Sequence, residues 1–145
     1  MSKMIERITS VSEGVQTKVT SKNHTLIIDE PASMGGKDEG PNPLATLLGA
    51  LSGCETVVAG MVAKEMNFDL QGIDFDISGE LDPRGMMGDE NVRPYFNKIT
   101  INAKVKTTES DDRIQELKEK TDSRCPVFTT LKAADIEMIA NWVKE

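Results

Sequence analysis

Apolar and polar residues alternate in five short segments, and this alternation predicts strands. The segments are residues 15–19, 25–28, 73–78, 99–106 and 136–142. Successive side chains of a strand point to opposite faces of its sheet, so a period of two is typical of half-buried strands. We expect two or three antiparallel strands in the first part of the chain and a closing strand at its end.

A spacing of three and four residues predicts one long helix after the first strands. Asn42 is a good N-cap, and Pro43 fits the first helical position, where its missing N–H costs nothing. The helix should end near Met66. Its apolar face consists of Leu44, Leu47, Leu48, Leu51, Val58, Met61 and Val62, with Glu65 at the end. Most other positions are Ala, Gly, Ser or Thr. We therefore expect a helix that is buried on most sides and packed closely against another element or a second subunit.

Two shorter helices are predicted before the closing strand. Ser110 or Asp111 can cap a helix that continues to about Thr121. Cys125 followed by Pro126 indicates a second short helix, because proline is favoured at the first helical position. Both helices therefore fall between the last two strands.

Segments rich in glycine and proline separate these elements. Residues 31–41 and 82–94 are predicted surface loops. The order of strands, helix, strands, helices and strand indicates an α+β fold. With 145 residues, the chain is expected to form a single domain, 1–145.

Composition excludes several classes of function. The chain has 17 Lys and Arg against 24 Asp and Glu, for a net charge of -7. No broad positive surface can neutralise phosphates, so nucleic acid is not an expected partner. The N-terminal segment lacks the apolar core of a signal peptide, and no window approaches the roughly 18 apolar residues of a membrane span. We expect a cytoplasmic protein with no membrane partner.

The sequence has two cysteines, Cys54 and Cys125. Without an export signal, they are better explained as reduced or redox-active thiols than as a structural disulfide. Neither lies in a CxxC motif, and His24 is the one histidine, so the ligands of a tetrahedral zinc site are missing. We expect no metal and no cofactor.

The surroundings of the two cysteines differ. Cys54 lies about 20° from Leu47 and Met61 around the helix, so it shares the apolar face and a packing role would explain it. Cys125 falls at a predicted cap, where helix N–H groups and Arg124 would stabilise a thiolate. We expect an unusually acidic Cys125, with a purely structural cap as the alternative.

Two segments resemble the OsmC/Ohr family. DEPASMGGKDEGPNPLATLLGALSGCET at residues 29–56 resembles the family's loop and central helix, and CPVFTTL at residues 125–131 resembles its second cysteine motif. The patterns GPNPLxxLLxALxGC and CPVxxTL occur together and in the family's order. The resemblance extends over nearly the whole chain.

The resemblance implies an α+β fold of antiparallel strands around a long buried helix, assembled as an intertwined homodimer with two sites at the subunit interface. It also implies a substrate, an organic hydroperoxide or hydrogen peroxide. Cys54 would attack the peroxide, and Cys125 would convert the resulting sulfenic acid into a disulfide. An external dithiol would then reduce the disulfide.

Family members activate the first thiol with an arginine from the early strands and, in many members, with a glutamate ten positions before it. Arg7 is the arginine that the early segment offers, Arg124 is a second candidate cation, and Leu44 occupies the glutamate's position. Glu55 is adjacent to Cys54. A bare carboxylate there would raise the thiol pKa, so we expect a structural or solvated role for Glu55.

Two other functions fit the same scaffold. One is a redox sensor or small-molecule-binding protein that does not turn over. The other is a structural dimer in which the thiols only pack.

Overall fold

The computed structural model, which describes residues 2–145, begins with a three-stranded antiparallel sheet. Its strands are β1 (Thr9–Glu13), β2 (Gln16–Ser21) and β3 (His24–Ile28), in the order β1-β2-β3. Tight turns join them, and Gly14 and Lys22 adopt positive φ angles of 58° and 55° in these turns. The predicted antiparallel strands at the start of the chain are confirmed.

Asp29 organises the loop that follows β3. Its buried carboxylate accepts a hydrogen bond from Gln16 Nε2 at 2.9 Å. The backbone N–H groups of Glu30, Lys37 and Glu39 also donate to it, at 2.8, 3.2 and 3.2 Å. The Gln16 bond, followed by these backbone bonds, lowers the pKa of Asp29. The glycine-rich loop is therefore held to one conformation by a single buried anion.

The described chain divides into two compact units, one ending at Leu47 and the other comprising Leu48–Glu145. The single-domain organisation stays a prediction. A 3₁₀ turn, Ala32–Met34, lies in the first unit. The remaining elements are α1 (Pro43–Met66), β4 (Gly72–Glu80), α2 (Pro83–Met86), β5 (Lys98–Lys106), α3 (Asp111–Arg124), α4 (Pro126–Ala133) and β6 (Glu137–Lys144).

The second unit contains another three-stranded sheet, in the order β4-β5-β6. Strands β4 and β5 are antiparallel, with Ile77 opposite Ile101, whereas β5 and β6 are parallel, with Ile101 opposite Ala140. The expectation of antiparallel strands is wrong for β6. The helices α3 and α4 form a crossover connection that returns the chain to the same end of the sheet, and such a connection produces parallel pairing.

The buried face of α1 joins the core of the second unit. That face consists of Leu51, Glu55, Val58, Ala59, Val62 and Ala63. The inward residues of β5 and Trp142 of β6 belong to the same core, where the Phe75 and Trp142 rings meet edge to face at 6.0 Å. Alternation along β5 is regular, as predicted.

The expectation that α1 is buried on most sides is wrong for the single chain. Val57 and Met61 are 57% and 52% exposed. A Cβ built on Gly49, Gly53 or Gly60 would meet no atom within 4 Å, so the close approach that these glycines permit is not made within the chain. One face of α1 packs on the core and the other is open.

The helix α1 is also more apolar along its length than we expected from the sequence. Among the described residues, it is the one helix that is long and apolar enough to cross a membrane, with a mean hydropathy of 1.5 over its most apolar window. The expectation that no window approaches a membrane span is wrong by this measure. Core helices of soluble proteins pass the same test, and α1 places a glutamate within its buried face.

The segment predicted as a loop at 82–94 contains the short helix α2. Asp82 caps it by accepting a hydrogen bond from the Arg84 N–H, and its carboxylate pairs with the Arg84 guanidinium at 2.6 Å. This pairing lowers the pKa of Asp82 to about 2. Met86 and Met87, at the end of α2, are both exposed.

Candidate thiol site

Cys125 lies at the junction of two helices. It follows the last residue of α3 and is the N-cap of α4, with Pro126 at the first helical position. Its Sγ accepts a hydrogen bond from the Phe128 N–H at 3.4 Å. Ser110 caps α3 at the other end by accepting from the Arg113 N–H. Both predicted caps are confirmed.

The two thiols lie close together in the second unit. Cys54 is in the third turn of α1 and half-buried, whereas Cys125 is fully buried. Both are free thiols, and their side chains neighbour each other. The fold therefore brings together two cysteines that are far apart in the sequence.

Glu55 faces the core beside these thiols. It is fully buried, and its carboxyl group neighbours both Asp122 and Cys125. A solvated role for Glu55 is therefore ruled out. Glu55 lies nearer than Cys54 to the middle of the buried face of α1. This is because Leu51, Val58 and Val62, which contact the core, lie on the same side of the helix as Glu55.

The carboxyl groups of Glu55 and Asp122 form a buried pair. Both oxygens of Glu55 and the Oδ1 of Asp122 are buried without a hydrogen-bond donor among the described residues. Burial, followed by the contact with Asp122, raises the pKa of Glu55 to about 9. Burial also raises the pKa of Asp122. A proton held between the two groups supplies the donor that both lack, because only a protonated carboxyl can donate.

The expectation of an acidic Cys125 is wrong. Burial is the largest influence and, with the contact to Cys54, raises the pKa of the Cys125 thiol to about 12. The hydrogen bond from Phe128 at the cap acts in the opposite direction, and the charge of Glu55 adds to the increase. One long cap contact does not outweigh the loss of water and a neighbouring carboxyl group.

The candidate cations have other surroundings. The Arg124 guanidinium forms two hydrogen bonds with the Glu65 carboxylate, at 2.6 and 3.0 Å, and both side chains are partly exposed. This partner raises the pKa of Arg124. Arg7 belongs to the first unit, where it precedes β1 and is exposed. An activating role for either arginine stays a prediction.

Leu44 and Gln16 both belong to the first unit. Leu44, where many family members have a glutamate, is partly exposed in the first turn of α1. Gln16 is the first residue of β2 and donates to both Asp29 and Glu39. Across residues 2–145, no group of three or more His, Cys, Asp or Glu side chains is placed to hold a metal ion.

Residues 36–139 match the OsmC-like protein family, a span that includes both cysteines, Glu55 and Asp122. The chain belongs to the OsmC-like family. The resemblance seen in the two cysteine motifs is therefore confirmed, and Arg7 lies outside the matched span. No curated protein matches this OsmC-like sequence.

Solved structures share the OsmC-like fold. An OsmC-like protein from Mycoplasma pneumoniae has a TM-score of 0.86 at 20% identity, covering 99% of both chains. An organic hydroperoxide resistance protein OsmC from Legionella pneumophila has a TM-score of 0.71 at 14% identity, covering 100% of this chain and 99% of that one. The organic hydroperoxide resistance protein OhrB of Bacillus subtilis has a TM-score of 0.65 at 21% identity, covering 96% and 98%. The α+β fold class is confirmed.

The sequence contained a signal for Glu55 that was missed. Leu51, Glu55, Val58 and Val62 follow the spacing of three and four residues that marks one helix face, so a core position for Glu55 could have been inferred. Asp122 gave a weaker signal, since it follows the buried Thr121 in an otherwise polar helix. Both carboxyl groups were absent from the predicted site.

Proposed function

We propose that this OsmC-like protein is a cysteine-based peroxide reductase in which Cys54 attacks the peroxide and Cys125 resolves. The observation that carries the proposal is the contact between two free thiols, one half-buried and one fully buried, within an OsmC-like fold. Two proteins with the same fold are named for organic hydroperoxide resistance, which supports hydroperoxides as the substrate class. Organic hydroperoxides or hydrogen peroxide are the proposed substrates.

The reaction divides into two thiol steps. The Cys54 thiolate attacks one peroxide oxygen, the O–O bond breaks, and the leaving alkoxide takes a proton and departs as an alcohol, leaving Cys54 as a sulfenic acid. Cys125 then attacks the Cys54 sulfur, a disulfide forms, and the hydroxide is protonated and leaves as water. An external dithiol reduces the disulfide and completes the cycle.

The different solvent exposures of the two thiols support the assignment of their roles. Cys54 is the more accessible thiol, so a peroxide can reach it first. Cys125 is enclosed, and its pKa near 12 leaves it protonated at neutral pH, as suits a thiol that reacts only after its neighbour is oxidised. Arg7 and Arg124 remain the proposed activating cations for Cys54.

A homodimer is part of the proposal. The exposed side of α1 carries Val57 and Met61 beside glycines whose Cα atoms are open to close approach. An apolar helix face of this kind is more typical of a subunit interface than of a solvated surface. We also propose that the dimer works in the cytoplasm, where dithiol reductants keep the thiols reduced.

Peroxide consumption tests the proposal. The wild-type protein should consume organic hydroperoxide repeatedly when a dithiol reductant is supplied, and Cys54→Ser should abolish consumption. Cys125→Ser should stop after about one turnover, because Cys54 sulfenic acid then lacks its resolving partner. Full turnover by both variants would rule out the proposed pair.

A redox sensor is the second candidate function. Two observations favour a sensor: the carboxyl group of Glu55 neighbours the thiols, and the pKa of Cys125 is high. Both disfavour a fast reaction through a thiolate. A sensor would form the disulfide stoichiometrically with peroxide but would show no sustained consumption with any of several dithiols. An inert structural dimer would form no disulfide at all.

A further inference from the structure

The buried carboxyl pair has no assigned role in the two-thiol cycle. Glu55 is fully enclosed, yet it contacts a reacting sulfur, that of Cys125. Its own partner is Asp122, which is only half-buried and lies near the ammonium groups of Lys118 and Lys132. These contacts form a continuous line of polar side chains from an enclosed thiol to the protein surface.

We propose that Glu55 and Asp122 form a proton relay that takes the proton of Cys125 as this thiol attacks the Cys54 sulfur. Glu55 is the catalytic residue of the relay, because it contacts the reacting thiol. Asp122 acts through Glu55 and is a positioning residue. The relay extends the proposed function. It rests on that function because the proposed peroxide substrate is the natural oxidant that converts Cys54 into the sulfenic acid.

Burial makes such a relay necessary. Cys125 has no exposed surface, so water has no direct path to its thiol. The titratable groups that face it are Cys54 and Glu55, and Cys54 is the sulfur under attack. Glu55 is therefore the one neighbouring side chain in the second unit that can accept the proton at that moment.

The proton movement balances. As the Cys125 sulfur bonds to Cys54, its proton passes to one oxygen of Glu55, and the proton on the other oxygen passes to Asp122. The S–O bond of the sulfenic acid breaks, and the hydroxide takes a proton from solvent at the half-buried Cys54 and leaves as water, while Asp122 releases one proton to solvent. The net reaction is a sulfenic acid and a thiol giving a disulfide and water, with no further oxidant or reductant.

The electrostatics of the pair agree with this direction of transfer. The raised pKa of Asp122 makes it a stronger base than an ordinary aspartate, while its partial exposure lets it release the proton to water. A single proton shared between two carboxyl groups also leaves one site free to receive another. The contact with Glu55, followed by the positive charges of Lys118 and Lys132, limits the pKa increase of Asp122.

An aromatic disulfide whose released thiolate is coloured tests the relay without any peroxide. The more accessible Cys54 attacks the reagent and releases one coloured thiolate. Cys125 then attacks the Cys54 sulfur, releases the second, and passes its proton to the relay. The rate of this second phase in the full-length reduced protein measures the step that the relay serves.

Glu55→Gln separates the relay from a simple charge effect, because the two predict opposite signs. The relay predicts a second phase slowed by about 100-fold at neutral pH, since a positioned base is removed. Its rate should then rise about tenfold per pH unit, as hydroxide must supply the Cys125 thiolate. If the Glu55 charge only raises the pKa of Cys125, the glutamine variant should be faster than wild type.

Asp122→Asn and Glu119→Gln complete the test. Asp122→Asn alters a half-buried group, so this variant can be tested even if Glu55→Gln does not fold. It should slow the second phase by at least about tenfold. Glu119→Gln, at an exposed position of the same helix, should change nothing. Equal rates in Asp122→Asn and Glu119→Gln would overturn the relay.

The relay and the peroxidase can fail separately. A slow second phase in the Glu55 and Asp122 variants, in a protein that consumes no peroxide, supports the relay and removes the proposed function. A wild-type protein that shows no second phase overturns the relay, since Cys125 then does not attack Cys54.

Discussion

The Glu55 carboxyl group neighbours the Cys125 thiol, although the two residues belong to separate helices. Neither group is exposed to solvent, and burial raises the pKa of both. Glu55 adds to the pKa increase of Cys125, whereas Cys125 lowers the pKa of Glu55. The resulting site holds thiols and carboxyls rather than the thiol and cation expected from the sequence. Its acid–base behaviour therefore depends on protons stored inside the protein.

The pH dependence of stability should reveal the buried carboxyl pair. Glu55 has an ordinary value of 4.5 when unfolded and a pKa of about 9 when folded, so between these values the folded protein binds more protons. Its contribution to stability is complete below about pH 4.5 and is lost as pH rises towards 9, by at most about 1.4 kcal/mol per pH unit. Urea midpoints measured between about pH 5 and about pH 8 should therefore fall with pH.

Glu55→Gln provides the comparison for that pH dependence. The glutamine does not titrate, so the midpoint should vary much less with pH, while Glu119→Gln should keep the wild-type slope. Carboxyl groups with a lowered pKa, such as Asp82 at about 2, lose their contribution only at lower pH and do not affect this range. An unchanged slope in Glu55→Gln would contradict the assignment of a buried, protonated pair.

Selective alkylation should distinguish the two thiols. Cys54 is half-buried, whereas Cys125 is fully buried with a pKa of about 12, so only about one Cys125 thiol in ten thousand is ionised at pH 8. In Cys125→Ser, we expect iodoacetamide to label Cys54; in Cys54→Ser, Cys125 should remain unlabelled until the protein is unfolded. Peptide mass spectrometry measures both, and rapid labelling of folded Cys54→Ser would disprove the raised pKa.

The ion pair between Arg124 and Glu65 gives a test of the second candidate cation. Both side chains are partly exposed, so removing either should change the free energy of unfolding only slightly. If Arg124 activates Cys54, as proposed, Arg124→Gln should react with peroxide more slowly than Glu65→Gln. Equal rates in the two variants would remove Arg124 as an activating cation.

The exposed side of α1 predicts the effect of charges on assembly. Val57→Asp places a carboxylate on the open face, so it should shift the protein from dimer to monomer while leaving the helical circular dichroism intact. Val62→Asp is the contrasting variant, since Val62 is fully buried and an unpaired charge there should unfold the second unit. Sedimentation of a wild-type monomer, with Val57→Asp unchanged, would refute the proposed interface.

Local signals in the sequence were enough to locate most elements. Pro43 and Met66 were predicted as the ends of α1, and the caps at Ser110 and Cys125 depend only on neighbouring residues, so they could be recognised. The inward alternation along β5 was equally local. These features need no knowledge of what the rest of the chain contacts.

The features that were missed depend on tertiary packing. Whether β6 pairs in parallel is decided by the crossover through α3 and α4, which no pattern within the strand records. The core contacts select the side of α1 that contains Glu55, whereas the apolar face predicted from the sequence also included Met61, which is exposed. Likewise, the cap position of Cys125 suggested an acidic thiol, but burial outweighed it.

Mass spectrometry after a single exposure to oxidant tests the central claim most directly. Reduced protein is treated with one equivalent of an organic hydroperoxide, free thiols are blocked, and the digest is searched for linked peptides. The two-thiol mechanism predicts a disulfide between Cys54 and Cys125 in most of the protein. In Glu55→Gln, the same disulfide should be missing at short times and should form at longer times. Recovery of both cysteines as free thiols, or of Cys54 oxidised without a link to Cys125, would contradict the mechanism.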